Sequence, residues 1–129
     1  MAECCRQLPN LYKSHIPIAF HLLETLEEED LEHFRPGTIW AIGRLFELAP
    51  KDLPAVLPLI VEALDRPGSQ SRGMAVWCLS EVGETAVVKG RTDLLADEGV
   101  VHLYENRTVT ETTVGALVRR VLETVAEAV

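Results

Sequence analysis

Positive charge is what this chain has least of. Its 12 Lys and Arg stand against 20 Asp and Glu, for a formal net charge of -8. That excludes a partner held by its phosphates, because nucleic-acid affinity rests largely on cationic neutralisation, so no DNA or RNA partner is expected. Long hydrophobic runs are missing too. No stretch approaches the roughly 20 apolar residues that cross a bilayer, and the first residues lack the basic-then-apolar order of a secretory signal. The expected compartment is the cytoplasm, with no membrane partner. Cysteine is scarce: Cys4, Cys5 and Cys78 cannot all pair, and adjacent Cys4 and Cys5 are poor partners for each other, which excludes a disulfide framework. Chemical motifs are equally thin. There is no glycine-rich phosphate loop, no Gly-x-Ser-x-Gly elbow and no His at metal-binding spacing from Cys4 or Cys5. No catalytic constellation emerges, so neither enzymatic activity nor a cofactor or metal is expected.

What is present is a repeat. The chain has 129 residues, 47% of them apolar, one domain's worth with enough to bury a core. Within it Arg35-Pro-Gly-Thr-Ile-Trp-Ala-Ile-Gly-Arg-Leu45 returns as Arg72-Gly-Met-Ala-Val-Trp-Cys-Leu-Ser-Glu-Val82. Counting each arginine as zero, small residues fall at +3 (Thr38, Ala75), tryptophans at +5 (Trp40, Trp77) and small residues again at +6 (Ala41, Cys78). Aliphatics follow at +7 (Ile42, Leu79) and +10 (Leu45, Val82), with small residues at +8 (Gly43, Ser80). Self-similarity at a few tens of residues marks a repeat array. The offset of 37 also relates Leu8, Leu11, Ile16 and Pro17 to Leu45, Leu48, Leu53 and Pro54. By that register Cys4 and Cys5 sit at core positions of a helix whose beginning is missing, so the chain starts mid-repeat or is a piece of something longer.

Helical periodicity predicts a helix from about Ser14 to Leu26, with Ile18, Ala19, Leu22, Leu23 and Leu26 on one face. The acidic run Glu27 to Glu32 is expected as a frayed exit and solvated loop, an acidic patch for a basic partner being the alternative. A helix from about Gly37 to Ala49 follows, stopping before Pro50. The next, near Leu53 to Leu64, carries Pro58 in its interior, where a bend is expected. A turn at Asp65 to Ser69 leads to a helix over Ser69 to Val82, capped by Gly83. Residues 84–93 are less regular. Leu94 to Leu103 reads as a partner helix, and a last helix is expected from about Thr110 to Ala126.

The pattern Arg-x-x-Ala-x-x-Ala-Leu-Gly on one helix, then Leu-Pro-x-x-Leu-x-x-Leu on the next, resembles HEAT repeats, most closely over residues 35 to 83. Asp97-Glu-Gly-Val-Val-His-Leu-Tyr104 is similar to the second half of an armadillo repeat. The resemblance implies an all-α fold, an α-α superhelix of about three HEAT-like helical hairpins with partial repeats at both ends. The units would cover about 1-33, 34-66, 69-106 and 109-129. It also implies that the usual activity is holding another macromolecule. The physical logic agrees, since one helical hairpin cannot bury both apolar stripes and neighbours must stack. Gly43 and Ser80 then mark close helix approach, and Arg35 and Arg72 are expected to bond backbone carbonyls or an acid of the adjoining repeat. Open ends normally need polar caps, so a homodimer, or docking to a missing domain, is expected through an end.

Function is expected on the faces turned from the core. At about 100° per residue, Arg44, Glu81 and Arg120 fall at +9 and Glu47, Glu84 and Glu123 at +12, all outward, which puts Trp40 and Trp77 on the polar side as a short ladder. Each indole either lies flat over its neighbours, Trp40 near Arg44, or forms a contact patch for a partner. The concave side would carry Phe20, His21 and Glu24, then Pro58, Leu59 and Glu62, then Glu98, Val101 and His102. His21 and Glu24 with Glu62 or Glu98 could reach one metal, a spacing that arises often by chance. The candidate partner-binding residues are therefore Trp40, Arg44, Trp77, His21, Glu24, Leu59, Glu62, Glu98 and His102. The expected function is a non-enzymatic protein-protein interaction module, an adaptor or scaffold. The alternative is an auxiliary or catalytic subunit of the kind represented by HEAT-like bilin lyases, with a DNA-repair role disfavoured by charge.

Overall fold

The computed structural model describes residues 28–48, 51 and 53–127. Three helices come first: α1 (Glu28–Leu45), α2 (Leu53–Glu62) and α3 (Ser69–Glu81). Single 3-10 turns, Phe46–Leu48 and Ala63–Asp65, extend α1 and α2. α1 begins well before Gly37 and runs through Pro36, so residues 28–32 of the acidic run are helical rather than a loop. α2 contains Pro58 as expected. α3 closes at Gly83, whose φ of 86° is the left-handed value that ends a helix without steric cost to glycine. The amide of Glu84 reaches back to the Leu79 carbonyl at 2.8 Å there. The irregular stretch folds as a short helix α4 (Thr85–Lys89) and a 3-10 segment, Thr92–Ala96.

Beyond it the all-α expectation fails. Residues expected to form the partner helix, and the first turn of the last one, instead make an antiparallel hairpin of β1 (Val100–Glu105) and β2 (Thr108–Thr113), followed by α5 (Val114–Glu127). The third helical hairpin of the expected superhelix is therefore absent among the described residues, and so is the armadillo-like second half at 97–104. The cause is local. Val101 and Leu103 are buried while Val100, His102 and Tyr104 face out, a period of two that a helix cannot keep on one face. The sequence Thr-Val-Thr-Glu-Thr-Thr loads β2 with β-branched residues that suit a pleated strand and are stiff in a helix. Between the strands Asn106 and Arg107 have φ of 53° and 64°, both left-handed, as the tight two-residue hairpin turn requires.

The core runs from Ile39, Ile42 and Leu45 of α1 through Val56 and Ile60 of α2 to Met74, Ala75, Cys78 and Leu79 of α3. It then continues into Val101, Leu103, Val114, Leu117, Val118 and Val121. Val118 and Val121 hold the core face expected of the last helix, although that helix starts at Val114. The hairpin lies against α3 at Gly73, where an added Cβ would collide with the Val101 methyls.

Arg72 makes the bonds anticipated for it. Its Nη1 donates to the carbonyls of Arg66 (2.8 Å) and Pro67 (2.7 Å), while Nε and Nη2 grip both carboxylate oxygens of Asp97 at 2.7 and 3.1 Å. Asp97 Oδ1 also accepts the Gly99 amide at 2.9 Å, and the Asp97 carbonyl accepts the Gly115 amide at 2.8 Å. The clamp thus fixes the point where the chain enters β1 and leaves β2. The side chain of Arg35 lies outside the described set, as do the helix expected over Ser14 to Leu26, Cys4 and Cys5. No helix among the described residues is long and apolar enough to cross a membrane.

Candidate functional site: an aromatic and arginine cleft

α1 and α3 carry the two copies of the repeated pattern, and their equivalent positions meet. Trp40 and Trp77 stack with ring centroids 6.4 Å apart and planes 14° from parallel, the ladder expected of them. They differ in environment. Trp40 is half-buried, whereas Trp77 is only 4% exposed, which corrects its placement on a polar face. The cause is the hairpin, which covers the side of α3 that a helical solenoid would leave open. Trp40 Nε1 donates to the Tyr104 carbonyl at 3.1 Å, and the Tyr104 ring meets the Trp40 indole edge-on at 5.8 Å. Trp77 Nε1 donates to Glu105 Oε2 at 3.3 Å, satisfying a buried indole N–H. Gly43 gives Trp77 its room, because a Cβ there would lie 2.5 Å from ring atom Cζ3.

Around these rings is a cleft of about 390 Å³, lined by Trp40, Arg44, Trp77, Glu81, Tyr104, Glu105, Asn106, Arg107 and Arg120. The three charged +9 positions of the repeat, Arg44, Glu81 and Arg120, converge on it. Arg120 Nη2 bonds Glu105 Oε2 at 2.7 Å. That bond holds the Glu105 carboxyl below its usual range, helped by the Arg120 charge, the Trp77 N–H and nearby Arg44 against the opposing effect of burial. The walls thus carry three guanidinium groups and two carboxylates, a locally cationic place on an acidic chain.

The remaining candidates do not join this cleft. His21 and Glu24 lie outside the described residues. Leu59 is half-buried, and Glu62 is exposed, paired with Arg66 at 2.7 Å on its own helical face. Glu98 is exposed, and His102 sits on the outer face of β1, 3.5 Å from Glu111. Val101, expected on a concave surface, is core. The concave groove therefore does not assemble among the described residues, and no group of three potential metal ligands occurs among them. The sequence reading missed Tyr104, Glu105, Asn106 and Arg107. The signal for them was the alternation in 100–105 followed by Asn106, a residue that tolerates left-handed turns.

Arg107 is the strained member of the site, since a non-glycine residue held at left-handed φ costs about 1–3 kcal/mol. Arg107→Gly is expected to raise stability by about 1 kcal/mol, because glycine is favoured at the second turn position. It would also remove one guanidinium from the cleft. Urea unfolding measures the first effect and partner affinity the second, and opposite signs are expected. Cys78 is inert by contrast. Burial, with Glu81 adding to it, pushes its thiol up to about 12, and the thiolate is the reactive form. With Cys4 and Cys5 replaced by serine, a thiol reagent is expected to label Cys78 only as fast as the fold opens, read by mass spectrometry across denaturant.

Comparison with protein-family models, curated proteins and solved structures finds no match to this chain.

Proposed function

We propose that this chain is a non-enzymatic protein-protein interaction module, and that its partner docks in the cleft between the tryptophan pair and the turn of the hairpin. The observation that carries the proposal is the lining itself. Two tryptophans, a tyrosine and three arginines surround one open cleft, and Trp, Tyr and Arg are the residue types that most often supply binding energy at protein interfaces. Tyr104 remains 39% exposed despite its contact with Trp40, so an apolar group can still be laid against it. Arg107, at the rim, forms no ion pair or hydrogen bond among the described residues. It faces a partner's carboxylate at little desolvation cost.

Both tryptophans of the chain line the cleft, so intrinsic emission reports on this one place. The test is capture from source lysate on the full chain, followed by rebinding of the purified partner with emission as the readout. Trp40→Ala is expected to weaken binding roughly 30-fold, the equivalent of a hot-spot loss of about 2 kcal/mol, with circular dichroism unchanged. Absence of a stoichiometric partner, or equal binding by the variant, would sink the proposal.

A further inference from the structure

The two edges of the hairpin are treated differently. The register pairs Glu105 with Thr108, Leu103 with Thr110 and Val101 with Thr112. In a two-residue hairpin these are the hydrogen-bonded pairs, so Val100, His102 and Tyr104 turn their backbone groups outward from β1. The three carbonyls and the His102 amide are met by side chains. Ser69 Oγ donates to the Val100 carbonyl at 2.6 Å, and Gln70 bonds both the His102 carbonyl (2.7 Å) and the His102 amide (2.8 Å). Trp40 donates to the Tyr104 carbonyl. The first turn of α3 and one indole thus close the β1 edge.

By the same parity Val109 and Glu111 turn their N–H and C=O groups outward from β2, and no described group bonds them. Thr108 to Glu111 are exposed along their length. The large apolar residues left exposed, Val100 (48%), Tyr104 (39%) and Val109 (62%), share the outer face of this hairpin. An edge strand of this kind normally carries lysine, proline or a bulge to refuse another strand. β2 has none of these, and its one charge is negative.

We propose that the outer edge of β2 receives an extended segment of another protein, with an apolar and a basic residue two positions apart on one face, as a third strand of the sheet. Main-chain bonds to Val109 and Glu111 supply the attachment, and the outer-face side chains supply selectivity. An apolar side chain beside Val109 continues the Tyr104 and Val109 row. A lysine or arginine opposite Glu111 forms a cross-strand ion pair, which an acidic residue would turn into repulsion. The net charge of -8 draws the same kind of segment. A second copy of β2 fits poorly in every antiparallel register that pairs the open groups. Centred on Glu111, it sets Glu111 against itself. Centred on Thr110, it sets Val109 against Glu111. Centred on Val109, it needs the partner copy's Arg107 in line with the strand, where its φ of 64° does not place it. The site adjoins the cleft at Tyr104, and the two are told apart by variants, Trp40→Ala acting on the cleft and Val109→Pro on the strand edge.

The test uses the full chain and two synthetic six-residue peptides, Thr-Thr-Lys-Thr-Val-Thr and Thr-Thr-Glu-Thr-Val-Thr, which in an antiparallel pairing set valine beside Val109 and lysine or glutamate opposite Glu111 on one face. Amide exchange is followed by NMR at about 1 mM peptide, the weak end of specific affinity. The lysine peptide is expected to slow the Val109 and Glu111 amides about tenfold and leave the already paired Leu103 and Thr110 amides unchanged. The glutamate peptide is expected to do neither. Val109→Pro removes an outward N–H without touching the inner ladder and is expected to abolish the effect, with tryptophan emission confirming the fold. Glu111→Lys is expected to reverse the peptide preference. Failure of the lysine peptide to protect, or equal protection by both peptides, overturns the proposal. So does protection without peptide that vanishes on dilution as the mass halves.

Discussion

Arg72→Ala is expected to lose about 3–5 kcal/mol of unfolding free energy, the usual result of removing one partner from a largely buried ion pair. The two side chains are only 18% and 16% exposed, so little solvent replaces the lost contacts. Asp97 would keep the Gly99 amide but no cation, and the carbonyls of Arg66 and Pro67 would lose a shared donor. Arg72→Lys is expected to recover less than half of the loss, because an ammonium cannot meet two carboxylate oxygens and two carbonyls in one plane. Urea unfolding of the three proteins measures the series. A loss below about 1 kcal/mol for the alanine variant would show the clamp to be no more than a surface pair.

The same pair sets an acid dependence. The Arg72 guanidinium, with the Gly99 amide, holds the Asp97 carboxyl below its ordinary value against the opposing effect of burial. A depressed carboxyl contributes stability that is present above its unfolded pKa, about 3.9 for aspartate, and that fades as pH falls through the folded value. Glu105 behaves likewise through Arg120. Stability is therefore expected to fall from about pH 4 downward, and to fall less steeply in Arg72→Ala, whose Asp97 has lost its main cause of depression.

Trp77→Ala is the second large effect, about 3–5 kcal/mol, since it empties the centre of the contact between α1, α3 and the hairpin. Its partner test is more informative. Gly43→Ala alone is expected to cost about 1–3 kcal/mol, because the new methyl overlaps the Trp77 ring and an overpacked core must shift. In the Trp77→Ala background the same change meets no ring and is expected to gain up to about 1 kcal/mol from helix propensity. A double-mutant cycle on urea midpoints reads the sign change directly. Additive effects would mean that Gly43 is not there for Trp77.

The residues that could be read in advance are those whose role depends on one periodicity. The stripe of α2, Ile42 and Leu45 of α1, Ala75, Cys78 and Leu79 of α3, the ladder of Trp40 on Trp77, the space at Gly43 and the bonds of Arg72 all follow from counting along a helix, whereas Ile39, Met74 and Val76 are buried outside the expected face. From Val100 onward the same counting misled. Val114, Leu117, Val118 and Val121 do lie on one helical face, and carrying that period backward through Thr110 hid a change to period two. The hairpin decides the environment of Trp77 by covering a face that the helices alone would expose. Four of the nine residues of the cleft lining, Tyr104 to Arg107, are non-local to the repeat, brought in by hydrogen bonds across more than thirty residues of sequence. Nothing in a helical wheel could place it.

The closure of the β1 edge by Ser69, Gln70 and Trp40 also bears on the order in which the molecule assembles. Its partners are 31, 32 and 64 residues apart in sequence, whereas the hairpin ladder is local and zips from the turn. Loop-closure entropy favours the local event. The strands are therefore expected to pair early and to dock on α3 afterwards, and in the native state to lift away as one unit before they separate from each other.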